Sequence, residues 1–320
     1  VQRQEALQGA TFDLPKTRIF IGQEEARLNS PRAINSIGAS QRLSLPMVYQ
    51  KASQLQNERL SLANRQQSQV RQQQVKQVRQ AYYQLQYGYA RLSLYQRLDS
   101  VFANYQKAAD MRYETGETGK LKQLASETRY QQLRVKLNQA RSDLQVYHQQ
   151  LQQAVNTSDT LVLADQEPKP LPAPWLPDSA ALEQNPRIQV KEQAVNKAQA
   201  AYERQRAELW PALSLTYRAQ TVNGQSGFYG FMAGLRVPLA FWSYDSRNEA
   251  AEIQIARQEA RLANLANETQ SRIRQQRIQV RQYQKQLAFY QEQRLQQAEQ
   301  LLSTAGQQYE QGAITYPVYA

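Results

Sequence analysis

The residues that could do chemistry are few and scattered. The chain has one histidine, His148, and no cysteine, so a thiolate metal site and a two-histidine relay are both excluded. Its three methionines are spread over predicted strand ends and a helix and form no soft-metal cluster. There is no glycine-rich phosphate loop after a strand and no Gly-x-Ser-x-Gly turn, and the pair Glu24-Glu25 has no organised pocket around it. We therefore expect no enzyme, no cofactor and no metal site.

Composition points instead to long, thin helices. Only 41% of the 320 residues are hydrophobic, the mean hydropathy is −0.75, and glutamine fills many positions between scattered apolar side chains. The helices of such a chain can bury a narrow apolar stripe against a neighbouring helix while two of their faces remain exposed to water. The net charge of +12 is spread along the helices, and its densest stretch, from Arg272 to Lys285, has the helical spacing of a solvated face. We therefore expect no nucleic-acid partner, because phosphate binding needs a concentrated patch.

The clearest feature of the sequence is an internal duplication. A long helical pattern follows Pro46 and ends near Gly116, and a second one follows Pro238 and ends near Gly312. The proline and the glycine lie 70 residues apart in the first copy and 74 in the second, a difference of about one helical turn. At about 1.5 Å per residue, each copy predicts a helix on the order of 100 Å long.

Each long helix has an apolar seam with the alternating steps of three and four residues typical of coiled coils. The seams are Val75, Val78, Tyr82, Leu85, Tyr89 and Leu92 in the first copy, and Val280, Tyr283, Leu287 and Tyr290 in the second. A returning helix has a seam of its own at Leu133, Leu137, Ala140, Leu144, Tyr147 and Leu151. Residues 116–119 therefore predict the tip of an antiparallel helical hairpin.

A β-hairpin precedes each long helix. In the second hairpin, apolar and polar residues alternate on both sides of a turn at residues 223–227. The first hairpin is weaker, with one strand from Arg18 to Arg27 and a partner that has Ile37 and Leu43 on one face. Five prolines between residues 157 and 178 exclude a helix there, and they predict an extended linker with Leu161, Leu163 and Trp175 as anchors.

These patterns predict two repeats that flank the linker. The first repeat, 1–156, contains a helix end, a β-hairpin at 16–46, a long helix at 47–115, a tip at 116–119 and a return helix at 120–156. The linker, 157–178, is expected at the equator. The second repeat, 179–320, contains a helix at 186–210, a β-hairpin at 211–238, a long helix at 244–311 and a tip at 312–317, and we expect further mature sequence beyond both ends.

The order and spacing of these elements resemble the TolC family of outer-membrane efflux proteins over essentially the whole chain. The most specific pieces are residues 210–215 (WPALSL), 235–239 (LRVPL) followed by Trp242, 108–118 (AADMRYETGET) and 13–17 (DLPKT). They look most like the heavy-metal (Cus/Czc-type) RND branch of Bacteroidetes. The fold class expected from the resemblance is mainly α with a small β part, a TolC-like protomer of an α-barrel and a β-barrel.

The resemblance implies a homotrimer in the outer membrane whose helical tunnel extends into the periplasm. Each protomer would give four strands to one 12-stranded barrel, and a periplasmic adaptor with an inner-membrane RND pump would complete the efflux system. The residues expected to dock the adaptor are Tyr113, Gly116, Glu117, Leu121 and Leu124 at the first tip, and Tyr309, Gly312 and Ile314 at the second. Many family members have an aspartate after the second tip glycine, whereas this sequence continues with Thr315 and Tyr316, so no aspartate gate is expected.

Two functions of different classes remain open from the sequence. The first is a duct of a tripartite efflux system that exports heavy-metal cations, and the second is a soluble periplasmic coiled-coil scaffold or adaptor. The outward face of the strands separates them, because a duct needs a lipid-facing band whereas a scaffold would pack that face against a helix. The predicted band consists of Leu213, Leu215, Tyr217, Tyr229, Phe231 and Leu235.

Overall fold

The structure of the chain, a computed structural model, describes residues 1–9, 14–24, 34–166, 180–238 and 241–310. Most of these residues are helical, and four strands form one antiparallel sheet, which confirms the predicted fold class with its internal duplication. The elements are α1 (Gln2–Ala6), β1 (Arg18–Glu24), β2 (Ile34–Leu43), α2 (Pro46–Glu114), α3 (Lys120–Val155), α4 (Ala180–Glu183), α5 (Pro186–Ala207), β3 (Ala212–Val222), β4 (Gln225–Arg236), α6 (Phe241–Phe289), a π-helical turn (Tyr290–Arg294) and α7 (Leu295–Glu310). None of the described helices has the length and apolar character needed to cross a membrane.

The chain divides into two compact units. One comprises residues 1–70 and 177–272 and contains the sheet, and the other comprises residues 71–176 and 273–320 and contains the helical hairpin. In the sheet unit, α5 begins at Pro186, a favoured first helical position, and the side chain of Asn185 caps it by accepting a 3.0 Å hydrogen bond from the Arg187 N–H. The α5 side chains also reach both long helices, with Lys51 bonded to Glu203 and Tyr202 to Glu252.

Both ends of the helical hairpin are closed by the same backbone motif. At the end of α2, Gly116 has φ +78°, the Glu117 N–H donates to the Arg112 carbonyl at 2.9 Å, and the Gly116 N–H donates to the Tyr113 carbonyl. At the end of α3, Asn156 has φ +60° and the Thr157 N–H donates to the Gln152 carbonyl at 3.0 Å. These are Schellman caps, which require a residue in the left-handed region and therefore favour glycine or asparagine.

The first seam is buried where α2 meets α3. Leu85 is fully buried in a cluster with Ala81, Leu151 and Leu163, so the segment after α3 covers the seam as its predicted anchors Leu161 and Leu163 indicate. The third predicted anchor, Trp175, lies outside the residues that the structure describes. Gly88 lets α3 approach closely, because a Cβ there would lie 2.8 Å from the Tyr147 ring. All six predicted seam residues of α3 are buried or half-buried. Of the α2 seam residues, Val75 is exposed, and the prediction for it is wrong.

The second seam is exposed in the described part of the chain. Tyr283, Leu287 and Tyr290 are 68%, 56% and 59% exposed, and only Val280 is half-buried. No described element covers these three residues, so their role as a coiled-coil seam stays a prediction, because periodicity identifies an apolar stripe but does not supply the helix that covers it. A π-helical turn, Tyr290–Arg294, also interrupts the helical ladder in this copy, which the sequence pattern does not predict.

The four strands are antiparallel neighbours in chain order, β1-β2-β3-β4. The two hairpins of the duplication are therefore joined side by side through β2 and β3, for example at Ile37 opposite Ala219. The β3–β4 turn is tighter than the predicted five residues, since Val222 pairs with Gln225 across Asn223 and Gly224, both at positive φ. This is the Asn-Gly geometry of a type I′ turn. Gly227, at φ +110°, lies in a bulge opposite Thr221.

Candidate functional site

The first candidate surface is the apolar face of the sheet. Because side chains alternate along a strand, the register places one residue from each strand in a row, such as Ile19, Ala39, Tyr217 and Phe231. We call the face that contains this row the apolar face. Its apolar members are Ile19, Ile21, Ile37, Ala39, Leu43, Leu213, Leu215, Tyr217, Ala219, Tyr229, Phe231, Ala233 and Leu235, and its polar members are Gln23, Asn35, Gln41 and Thr221.

This face contains all six residues of the predicted lipid-facing band. Five of them are exposed, with Phe231 at 85% and Leu235 at 72%, and Leu213 is half-buried. The ring of Tyr217 joins β3 to β4 through Phe231, at 5.1 Å between centroids, and through Tyr229, at 6.2 Å. Aromatic pairs of this kind stabilise neighbouring strands without covering the face.

The predicted band omits the first hairpin, although that hairpin extends the same face. Ile19 and Ile21 of β1 and Ile37 of β2 are all exposed and lie in register with the β3 and β4 residues. The alternation of Ile19 and Ile21 around Phe20 is the signal that could have identified them. The exposed apolar surface therefore spans all four strands.

The opposite face, the polar face, contains the charged residues of the strands and many small residues, together with Phe20, Ile34, Val222, Phe228 and Met232. Thr216 donates to Ser40 at 3.0 Å and Ser214 donates to the Gly234 carbonyl at 3.1 Å, so hydroxyl groups on this face are held by the sheet itself. Phe20 lies across Gly38, where an added Cβ would be 2.5 Å from the ring. An aromatic side chain over a strand glycine covers backbone that would otherwise be bare. The two faces of the sheet thus differ sharply in chemistry.

The second candidate surface is the tip between α2 and α3. The cap described above brings Tyr113, Gly116 and Glu117 into one turn, and Leu121 follows in the first turn of α3 with 82% of its side chain exposed. Lys120 lies over the Tyr113 ring at 4.9 Å, and the Arg112 Nε is 3.7 Å from a Glu117 carboxylate oxygen. Leu124 is exposed as well. The five predicted residues of this tip are therefore exposed, three of them at the turn and two in the first part of α3.

The second predicted tip is only partly within the described chain. Tyr309 lies in the last turn of α7, whereas Gly312 and Ile314 lie outside the described residues. The predicted tip at 312–317 therefore stays a prediction.

The histidine and the titratable groups whose pKa is shifted lie on helices. His148 packs between α2 and α3, where its Nε2 is 2.9 Å from the Tyr89 hydroxyl. Burial raises the pKa of Tyr105, a hydrogen bond with Tyr95 raises the pKa of Arg91, and a hydrogen bond with Glu252 raises the pKa of Tyr202. In the described ranges, His, Cys, Asp and Glu side chains form no group of three or more that could hold a metal ion. These groups serve packing between helices.

The second half of the chain is similar in sequence to a known protein family. The model of one family, described as outer membrane efflux protein, matches residues 178–317. The second half of the chain matches the outer membrane efflux protein family. No curated protein matches the chain. The matched region contains β3, β4 and the second long helix, so two of the four strands of the apolar face lie within it.

Solved outer-membrane channels share the fold of nearly the whole chain. CusC is 20% identical with a TM-score of 0.75, and the alignment covers 99% of this chain and 79% of CusC. VceC from Vibrio cholerae is 16% identical with a TM-score of 0.78, covering 99% and 82%. CmeC from Campylobacter jejuni is 14% identical with a TM-score of 0.74, covering 99% and 74%. The chain therefore shares the fold of these proteins along nearly its whole length.

Proposed function

We propose that the chain is a protomer of an outer-membrane exit duct in a tripartite efflux system, and that it is a transport protein with no enzymatic activity. The observation that carries this proposal is the apolar face, which is exposed on all four strands and includes Phe231, Ile21 and Leu235. Each large apolar side chain stabilises a protein by roughly 1.5–3 kcal/mol when it leaves water. A face of this size needs an apolar environment, and membrane lipid supplies one.

The edges of the sheet support a homotrimer. Among the described strands, β1 pairs only with β2 and β4 pairs only with β3, so each sheet has two free edges. Backbone groups at a free edge cannot remain unpaired in lipid, where water does not reach them. Pairing β4 of one copy with β1 of the next removes both edges, and three copies of four strands close a 12-stranded barrel. The expected location is the outer membrane, with the helices in the periplasm.

The tips support the docking of a periplasmic adaptor that connects the duct to an inner-membrane RND pump. Leu121 and Leu124 present apolar surface at the end of the helical hairpin, with the charged side chains of Glu117 and Lys120 beside them. A partner with a complementary helical hairpin could bury the leucines and pair with the charges. The second tip, at Tyr309, Gly312 and Ile314, would repeat the contact.

The alternative function, a soluble coiled-coil scaffold, requires that the apolar face pack against another element. Tyr229, Phe231 and Leu235 contact solvent instead within the described chain. This observation favours the duct.

Heavy-metal cations are the cargo implied by the sequence resemblance alone. A deletion strain tests this hypothesis, since loss of a metal exporter should lower tolerance to copper, silver or zinc but not to organic drugs. A strain that becomes sensitive only to drugs would contradict it.

Conductance in planar lipid bilayers tests the duct itself. The purified full-length protein should insert as stable, discrete conducting units. Substitutions at Leu121 and Glu117 should leave this insertion unchanged, because the tip lies outside the sheet, and should weaken only the binding of the adaptor. A scaffold would give no conducting units, and that outcome would overturn the proposal.

A further inference from the structure

The charged residues of the sheet are confined to its polar face and are strongly unbalanced. The described strands contain four arginines, Arg18, Arg42, Arg218 and Arg236, and one acidic residue, Glu24. The strand register places all five on the polar face. We propose that this face forms a positively charged section of the duct that favours anionic solutes over free cations. This inference rests on the proposed function, because it takes the polar face to line the water-filled lumen.

The four arginines form a ladder, with one arginine in each successive row of the polar face. Arg236 pairs with Ala212, and Arg42 is in the next row opposite Ser214. Arg18 follows opposite Ser40, and Arg218 follows opposite Gly38. Successive rows on one face are about 6.6–6.8 Å apart, so the ladder extends along roughly 20 Å of the sheet.

Most neighbours of the arginines are small. The rows of the ladder contain Ser214 with Gly234, Ser40 with Thr216, and Gly38 with Gly230, and their two large members are Met232 in the row of Arg18 and Phe20 in the row of Arg218. Arg18, Arg42 and Arg236 are exposed, and none of them forms an ion pair with another described residue. Arg218 is half-buried and is 3.3 Å from Glu24, which neutralises it. Three positive charges per copy therefore have no ion-pair partner among the described residues.

The excess of positive charge over negative charge should make the lumen selective for anions. In three copies the ladder would place nine unpaired guanidinium groups around one lumen, since each copy contributes three. A lumen with low-dielectric walls focuses the field of such charges and concentrates ions of the opposite sign. The Debye length is about 10 Å at 0.1 M salt and about 30 Å at 0.01 M, so the preference for anions should grow as salt is diluted.

The ladder also bears on the cargo. A free divalent cation would enter a section that concentrates anions, so a metal cargo would cross this section most easily as an anionic or ligand-neutralised complex. Guanidinium groups bind carboxylate and phosphate oxygens in bidentate geometry. Organic anions with such groups are therefore the solute class that fits the ladder best.

Reversal potentials of the full-length protein in bilayers of neutral lipid test the inference. Under a potassium chloride gradient near 0.01 M, we expect chloride permeability to exceed potassium permeability by roughly threefold or more, because screening is weak at that salt concentration. The variant R18Q/R42Q/R236Q should lose this preference. The matched variant R18K/R42K/R236K keeps the charge and should keep the preference, and Glu24→Gln should strengthen it.

The outcomes separate the inference from the proposed function. The inference would be overturned if the wild-type conducting units preferred potassium. It would also be overturned if the glutamine variant preferred chloride as strongly as the wild-type protein. Either result would leave the proposed function as a duct unchanged. Absence of conducting units in the wild-type protein would overturn both.

Discussion

The two copies of the long helix have the same kind of apolar seam but lie in different surroundings. In the first copy, α3 and the segment around Leu163 cover α2, and Leu85 is fully buried. In the second copy, Leu287 is also a seam residue, yet it remains 56% exposed in the described chain. The seam residues have the same chemical character, so what differs is the presence of a covering helix.

This difference shows that a coiled-coil pattern predicts where a helix packs against a partner but does not provide the partner. In the first copy the partner is α3, which approaches α2 closely at Gly88 and is joined to it by the ion pair between Arg91 and Asp143 at 2.9 Å. The second copy keeps an exposed stripe and a π-helical turn. Stability and mutational sensitivity should therefore be concentrated in the first copy.

The largest expected effect is the contrast between Leu85→Ala and Leu287→Ala. Truncating Leu85 opens a cavity in a buried cluster and should lower the free energy of unfolding by about 2–5 kcal/mol. Truncating the exposed Leu287 should cost less than about 1 kcal/mol, as surface substitutions usually do. Urea unfolding of the purified protein, followed by circular dichroism, measures both. Equal losses would mean that the second seam is covered as fully as the first.

A smaller effect is expected where the two helices of the first hairpin approach most closely. Gly88→Val would force the Tyr147 ring and Leu144 away from α2, and it should lower stability by roughly 1–3 kcal/mol through overpacking. Tyr87→Val, on the exposed side of the same turn, is the matched control and should cost much less. The same unfolding assay applies, and a Gly88→Val protein as stable as the control would argue against the close approach.

The cap of α3 gives a third contrast. Asn156 has φ +60°, so Asn156→Ala should destabilise the protein by about 1 kcal/mol, whereas Asn156→Gly should be neutral or slightly favourable. Proteolysis rates near residue 157 would show whether the cap holds Leu161 and Leu163 on the seam. Identical rates for the two variants would contradict this role.

The smallest effect concerns pH. Burial raises the pKa of Tyr105 in α2, so the folded protein keeps the phenol proton at a pH where the unfolded chain releases it. The stabilisation is complete below the unfolded pKa of about 10 and is lost as pH rises through the folded pKa. Tyr105→Phe should therefore make stability fall less steeply above about pH 10. An unchanged slope would exclude a contribution from this phenol.

Local patterns in the sequence predicted the fold class and the covered face of α3. Leu133, Leu137 and Ala140 are buried because spacing alone determines which side of a helix is apolar. The exposure of Val75 and Leu287 could not be predicted, since burial depends on where other elements lie. The pairing of β2 with β3 is likewise a long-range contact between the two repeats.

The candidate surfaces also depend partly on local sequence patterns and partly on long-range contacts. Alternation in β3 and β4 identified one half of the apolar face, but only the strand register shows that Ile19, Ile21 and Ile37 complete it. The arginine ladder also depends on register, because its four members come from four strands in two hairpins that are far apart in the sequence. The tip residues remain predictions for docking.

Spin labels at two adjacent positions of β4 test the central claim, that the apolar face contacts lipid, most directly. The sequence contains no cysteine, so Phe231→Cys and Met232→Cys can each be labelled alone in the protein reconstituted into vesicles. The two residues are neighbours on opposite faces of the strand. We predict that oxygen dissolved in the lipid increases the spin relaxation rate of the label at 231. A water-soluble nickel complex should instead increase the relaxation rate of the label at 232. Equal exposure of both labels to the nickel complex would contradict an outer-membrane duct.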